Sequence, residues 1–196
     1  MSTSVDKEKK VSDTTIILRN VRIAFPDLWT AVQYEGKGPF SYRATFLIDP
    51  KSAEHSLVQE TIQKVAIAGW GVKAKEVLLT IEGQSQKFCY IDGNTKGYDG
   101  YENMWALSTS RPQESGRPKV IDQRKNDLTV DDGKPYGGCI VNAKVQLWPQ
   151  NNKFGRGLRA SLIAVQFAKD GDAFGGAPPA SDTGMEEVAD SGDDLI

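Results

Sequence analysis

The 196-residue chain is 39% hydrophobic, 26% charged and 9% aromatic, which fits one folded domain and excludes a collagen-like or wholly disordered protein. Two cysteines 50 positions apart and a single histidine exclude a disulfide scaffold or a zinc cage of conventional spacing, and the polar first 14 residues offer no signal peptide. The net charge of −2 is unevenly divided: all 24 Lys and Arg precede residue 170, giving that stretch +6 against its 18 acids, whereas residues 170–196 hold eight acids and no base.

No run of about 18 apolar residues occurs, so a soluble intracellular protein is expected. Residues 1–13 read as a flexible arm. Residues 14–25 and 40–48 are rich in β-branched and aromatic residues and read as strands, with DLWTAVQYEGKG between them as a loop. Asp49 is the expected N-cap, with Pro50 at the first helical position. Leu57, Val58, Thr61, Ile62 and Val65 recur at helical spacing until Gly69 and Gly71 stop the helix. Short strands are expected near 76–82, 87–91, 104–110 and 119–122, then at 139–148 and 157–167, the last two joined by a long or bulged turn, PQNNKFGR. Many short strands with one inserted helix, over residues 14–169, suit a mainly β, OB-fold-like antiparallel barrel. A β-sandwich and a split barrel are the rival architectures. Residues 170–196, rich in Gly, Ala, Ser, Pro and Asp, bury too little to offset the entropy of ordering and read as a disordered acidic tail.

The chemistry points to binding. His55 is the only histidine and lies on the expected helix, so no Ser/His/Asp or Cys/His relay is on offer, and GxSxG, HExxH and Walker sequences are absent. No catalytic residue, metal or cofactor is expected, and Cys89 and Cys139 read as buried thiols. In the strand at 139–148, alternation sends Val141, Ala143, Val145 and Leu147 to the core and Asn142, Lys144, Gln146 and Trp148 outward. A Trp beside a Lys suits a single nucleic-acid strand, because the ring stacks on any base for roughly 1–3 kcal/mol and the cation meets phosphate. Aromatic and cation recur together in Tyr42 and Arg43, in Tyr98, Tyr101 and Trp105 ahead of Arg111, Arg117 and Lys119, and in the loop KFGRGLR with Lys153, Arg156 and Arg159. A metal-dependent nuclease holding cations on Asp92, Asp99, Asp122 and Asp127 is the competing reading, and an RNA-binding or strand-annealing factor is a third. In the tail, Asp190, Asp193 and Asp194 lead into Leu195 and Ile196. A hydrophobic end behind carboxylates suits an apolar partner pocket rimmed with Lys or Arg, and the same acids suit competition with a polyanion for the basic body.

The segment from Tyr136 to Gly176, YGGCIVNAKVQLWPQNNKFGRGLRASLIAVQFAKDGDAFGG, resembles the final strands of bacteriophage single-stranded DNA-binding proteins with an OB-fold. YDGYENMWALSTSRP and the acidic tail follow that family's order. The resemblance implies sequence-independent coating of single-stranded DNA in phage replication or recombination, in the cytoplasm of an infected bacterium, and recruitment of replication or recombination proteins by the tail. It leaves a homodimer open. Tails in that family often finish on an aromatic residue, whereas this one ends Leu195-Ile196.

Overall fold

Two long strands open the described part of the chain, residues 14–174 of a computed structural model. They are β1 (Thr15–Tyr34) and β2 (Lys37–Ile48), joined by Glu35 and Gly36. Both turn residues take positive φ, 49° and 70°, the backbone that fits a two-residue turn to the twist of its strands. The stretch from 27 to 38, expected as a loop, is therefore mostly strand. Its polar residues belong to a strand that faces solvent on one side, while Leu28 is fully buried on the other.

β1 serves two partners. Its first half pairs antiparallel with β6 (Ile140–Asn152) and its second half with β2, Arg22 touching both. Register shifts between Leu18 and Val21 and between Ala24 and Asp27 bend it, with Asn20 and Phe25 at φ 52° and 49° inside them. The Asn20 amide, taken out of the ladder, donates to Asn142 Oδ1 at 3.0 Å.

β2 continues to β4 (Trp105–Pro112), β6 pairs with β7 (Gly155–Lys169), and β4 meets β7 in parallel at Ser110 and Ser161. These contacts close the ring β1-β2-β4-β7-β6, an OB-fold-like barrel, with β3 (Tyr90–Asp92) added on β4 and β5 (Lys119–Ile121) on β7. Closure removes the open edges that a sandwich would keep. Leu18, Ile23, Phe46, Leu107, Val145 and Leu162 are wholly shielded in the core, each contributing roughly 1.5–3 kcal/mol by burial.

One end is covered by α1 (Ala53–Trp70), which turns Val58, Ile62 and Val65 to the core. Its N-cap is Ser52, whose Oγ accepts from the His55 amide at 3.2 Å, and not Asp49. Asp49 instead takes the Lys51 amide on Oδ1, and Pro50 occupies the turn before the helix. The strand expected at 76–82 is a second helix, α2 (Ala74–Ile81). Ala74, Val77, Leu78 and Ile81 are its buried residues, a helical spacing that a short apolar run conceals. The expected long turn at 149–156 is also shorter: Asn152 pairs with Gly155, leaving Lys153 and Phe154 at the tip. Among the described residues no helix is long and apolar enough to cross a membrane.

Candidate nucleic-acid interface

Alternation along β2 turns Ala44 and Phe46 into the core, so Arg43, Thr45 and Leu47 face outward. Pairing sets these into rows across three strands: Asp27, Arg43 and Ser110; Ala24, Thr45 and Ser108; Arg22, Leu47 and Ala106. β2 and β4 are the second and third strands of the closed ring. In OB-folds that face, with the hairpin loops corresponding here to 34–37 and 152–155, binds oligonucleotides.

The face carries rings in the open. The bulge in β1 swings Phe25 outward, 53% exposed, against Tyr98, 52% exposed, with centroids 5.1 Å apart in an edge-on arrangement. Tyr101 lies beneath them, 5.2 Å from Tyr98, its hydroxyl bonded to Thr45. Burial pushes the Tyr101 hydroxyl above its usual range, with the Thr45 bond pulling the other way. Arg43 Nε donates to Ser41 Oγ at 3.0 Å, and the guanidinium sits 5.3 Å over the Tyr34 ring. Asp27, opposite Arg43 in the ladder, is half-buried; burial raises its pKa and Arg43 partly offsets the rise. Arg117 covers Trp29 at 5.4 Å, and Lys153 covers Phe154 at 5.0 Å on the second hairpin tip. A cation over a ring contributes about 0.5–1 kcal/mol at such exposed sites. More to the point here, it parks a positive charge beside a flat apolar surface.

The sequence-derived residues divide into groups. Arg43 and Tyr98 lie on this face, and Lys153 and Arg156 on the exposed β6–β7 tip. Arg111 borders the face, but its guanidinium donates to Gly116 O and Ser115 O at 2.8 Å, and so ties down the loop after β4. Lys144, Trp148 and Arg159 point outward from β6 and β7, as alternation predicts. Trp148, 40% exposed, donates from Nε1 to Ser161 Oγ at 2.9 Å, and Arg159 Nε donates to Gln150 Oε1.

Two aromatic expectations need correction, since these rings are not laid open, and a third ring is half-buried at the other end of the strand. Tyr42 shares the inward parity of Ala44 and Phe46 and is 9% exposed. Tyr101 is 3% exposed beneath its neighbours. Trp105 shares the inward parity of Leu107 and packs on Tyr90 and His55 at the α1 end, at 5.1 and 5.5 Å. Conversely, Phe25, Tyr34, Phe40 and Phe154 are exposed rings that the aromatic–cation pattern does not single out. Phe154 lies inside the KFGRGLR loop already singled out for its cations, and Tyr34 directly precedes the Glu-Gly turn. Those positions were the available signal.

The acids suggested for metal binding are dispersed. Asp92 accepts from the Asn94 amide, Asp122 from the Arg124 and Asn126 amides, and Asp127 pairs with Lys119. Hydrogen bonds from Asn126 hold the Asp122 carboxyl below its usual range. Among the described residues no group of three or more His, Cys, Asp or Glu is gathered to hold a metal. Both thiols are buried, and burial pushes Cys89 up to about 12 and Cys139 up to about 11.

Of the segment read as a tail, residues 170–174 are described, and they pack on the body. Arg22 Nη2 donates to Asp172 O at 2.8 Å, its guanidinium lies 4.3 Å from the Phe174 ring centroid, and the Phe174 amide donates to Gly137 O. Asp190, Asp193, Asp194, Leu195 and Ile196, and the arm at 1–13, lie outside the described residues.

Comparison with known proteins gives this geometry its family. Protein p50 of Acyrthosiphon pisum secondary endosymbiont phage 1 is 45% identical over 179 residues, covering 89% of this chain and 92% of p50. The single-stranded DNA-binding protein from bacteriophage Enc34, solved in complex with ssDNA, is similar at 25% identity and a TM-score of 0.68, over 83% of this chain and 90% of that one. Gp2.5, a single-stranded DNA-binding protein encoded by bacteriophage T7, shares the fold at a TM-score of 0.52 and 14% identity, over 89% of this chain and 100% of gp2.5. The family described as Enterobacter phage Enc34 ssDNA-binding protein matches residues 14–196, and the chain belongs to that family.

Proposed function

We propose that the protein binds single-stranded DNA without regard to sequence, as a coating protein of phage replication or recombination in the cytoplasm of the bacterial host, and that it performs no chemical step. The observation that carries this reading is the outer face of β1, β2 and β4, where Phe25 and Tyr98 stand exposed and Arg43 faces outward over Tyr34, with Lys153 over Phe154 on the β6–β7 hairpin. Rings stack on unpaired bases of any identity, and cations meet the backbone; a duplex hides its ring faces and gains only the second term. Membership of the Enc34 ssDNA-binding family along residues 14–196 supports the same assignment. The site comprises Arg43, Tyr98, Lys153 and Arg156 from the sequence-derived set, joined by Phe25, Tyr34 and Phe154. Lys144, Trp148 and Arg159 lie outside it, outward on β6 and β7 beyond the β4–β7 seam.

The acidic tail is the second part of the reading. Its root, Asp170–Phe174, is fastened by Arg22 at the edge of the same face. We infer from their charge that the remaining acids compete with DNA for the cations that would hold phosphate, while the end, Asp193-Asp194-Leu195-Ile196, engages replication or recombination proteins. Whether two copies associate is settled by mass measurement in solution.

Anisotropy titrations of labelled single-stranded and duplex oligonucleotides across a salt series test both parts. The expected outcome is tight single-strand binding that weakens linearly in log–log salt plots, with duplex far weaker. Deleting residues 175–196, which spares the Phe174 packing, is expected to tighten binding at low salt. Equal affinity for duplex removes the stacking account, and unchanged affinity after truncation removes the competition.

A further inference from the structure

A carboxylate on a face proposed to hold a polyanion calls for a reason. Asp27 is outward-facing in the row with Arg43 and Ser110, two positions from Phe25 along β1. Arg43 bonds to Ser41 and lies over the Tyr34 ring. Among the described residues, no hydrogen bond or close ion pair reaches the Asp27 carboxylate, and the Arg43 charge acts on it from farther off. It is half-buried, and burial raises its pKa, which records the cost of leaving this anion poorly solvated. A strand passing over it presents either phosphates, which the like charge repels, or base edges.

An ionised carboxylate only accepts hydrogen bonds. Cytosine offers an N4 amino donor, for which Asp and Glu are the matching acceptors, whereas thymine puts the O4 acceptor at the same position. Phe25 stands two positions away on the same strand with Tyr98 edge-on against it, so an acceptor and a stacking surface lie along one stretch of the face. We propose that Asp27, Phe25 and Tyr98 form a base-reading subsite that favours bases carrying an exocyclic amine over thymine, and that Asp27 keeps the phosphates on the Arg43 and Tyr34 side of the strand. This rests on the single-strand binding proposed above and adds a graded base preference to it.

The test compares oligo-dC, oligo-dT and oligo-dC carrying N4,N4-dimethylcytosine, all of one length, on the full chain and on Asp27→Asn and Asp27→Ala. Wild type is expected to favour dC over dT by about 5-fold, and dimethylation to remove most of that preference, since it deletes both N4 donors. Asp27→Ala is expected to bind dT as tightly as wild type or tighter, with the dC preference and the dimethyl effect both gone. Asp27→Asn, which keeps an acceptor oxygen at nearly the same volume, falls between. The same dC-to-dT ratio in all three proteins, or a wild type indifferent to dimethylation, overturns the subsite while leaving single-strand binding intact. Failure of wild type to bind any of the three oligonucleotides overturns the binding itself, so the two failures are distinguishable.

Discussion

The two ends of the outer β1–β2–β4 face share strands and side-chain parity, yet one end is sealed and the other open. At the sealed end Ala24, Leu47, Ile91 and Ala106 form a small apolar platform covered by Tyr101, Met104 and Phe174. Gly100 and Gly138 permit the cover: a Cβ on Gly100 would run into the Phe174 ring and one on Gly138 into the Asp172 backbone, and both glycines hold positive φ. At the open end the same parity carries Asp27, Thr45, Arg43, Ser108 and Ser110, with Phe25 and Tyr98 at the border. Small apolar residues beneath a strap give an inert surface. Polar and charged residues beside exposed rings give an adhesive one, and exposed rings in a cluster are the informative exception on a protein surface.

Substitutions at the two ends should therefore separate stability from binding. The largest expected effect is Leu47→Ala at the sealed end, where the side chain is 1% exposed; unfolding in urea should show a loss of about 2–5 kcal/mol, with little change in DNA affinity for the remaining folded protein. Next come Phe25→Ala and Tyr98→Ala at the border. Each should weaken single-strand binding by about 1–3 kcal/mol in an anisotropy titration while moving stability less, because both rings are already half exposed. Arg43→Ala, four residues before Leu47 on the same strand, should leave stability within about 0.5 kcal/mol of wild type. Its signature is a reduction of about one in the slope of log affinity against log salt. A stability loss at Arg43 as large as that at Leu47 would mean that the open end, too, is structural.

The sequence exposed the barrel more readily than the face. Strict alternation in Val141, Ala143, Val145 and Leu147 placed β6 correctly, because one side of that strand is core and the other is solvent. Alternation lost its force where β1 bulges: the extra residue between Ala24 and Asp27 breaks the period and throws Phe25 outward, so the face's main ring looked like part of an ordinary apolar run. Tyr42 misleads for the opposite reason. Composition paired it with Arg43, but adjacent residues on a strand point to opposite sides, so only one of the two could face DNA. Tyr101 and Trp105 were close in sequence to Tyr98, yet a loop and a strand end carry them to different levels, one under the rings and one against α1. Pairing across strands, which sets Asp27 opposite Arg43, is long-range information that no local pattern contains.

The smallest expected effect distinguishes how far the strand runs around the barrel. Trp148 is not on the β1–β2–β4 face; it reaches it only through Ser161, which takes the indole N–H and sits across the β4–β7 seam from Ser110, itself the neighbour of Arg43. A strand confined to the open end does not touch this ring. In that case Trp148→Ala should cost about 1 kcal/mol of stability for the lost hydrogen bond and alter affinity by less than that. Should Trp148→Ala instead weaken binding as much as Phe25→Ala, the DNA must cross the seam and continue over Lys144 and Arg159 on β6 and β7. The decisive readout is oligomer length: a strand that ends at the seam gives the same Trp148→Ala penalty, near zero, for short and long oligonucleotides, whereas a wrapping strand shows the penalty only once the oligonucleotide is long enough to pass Ser161.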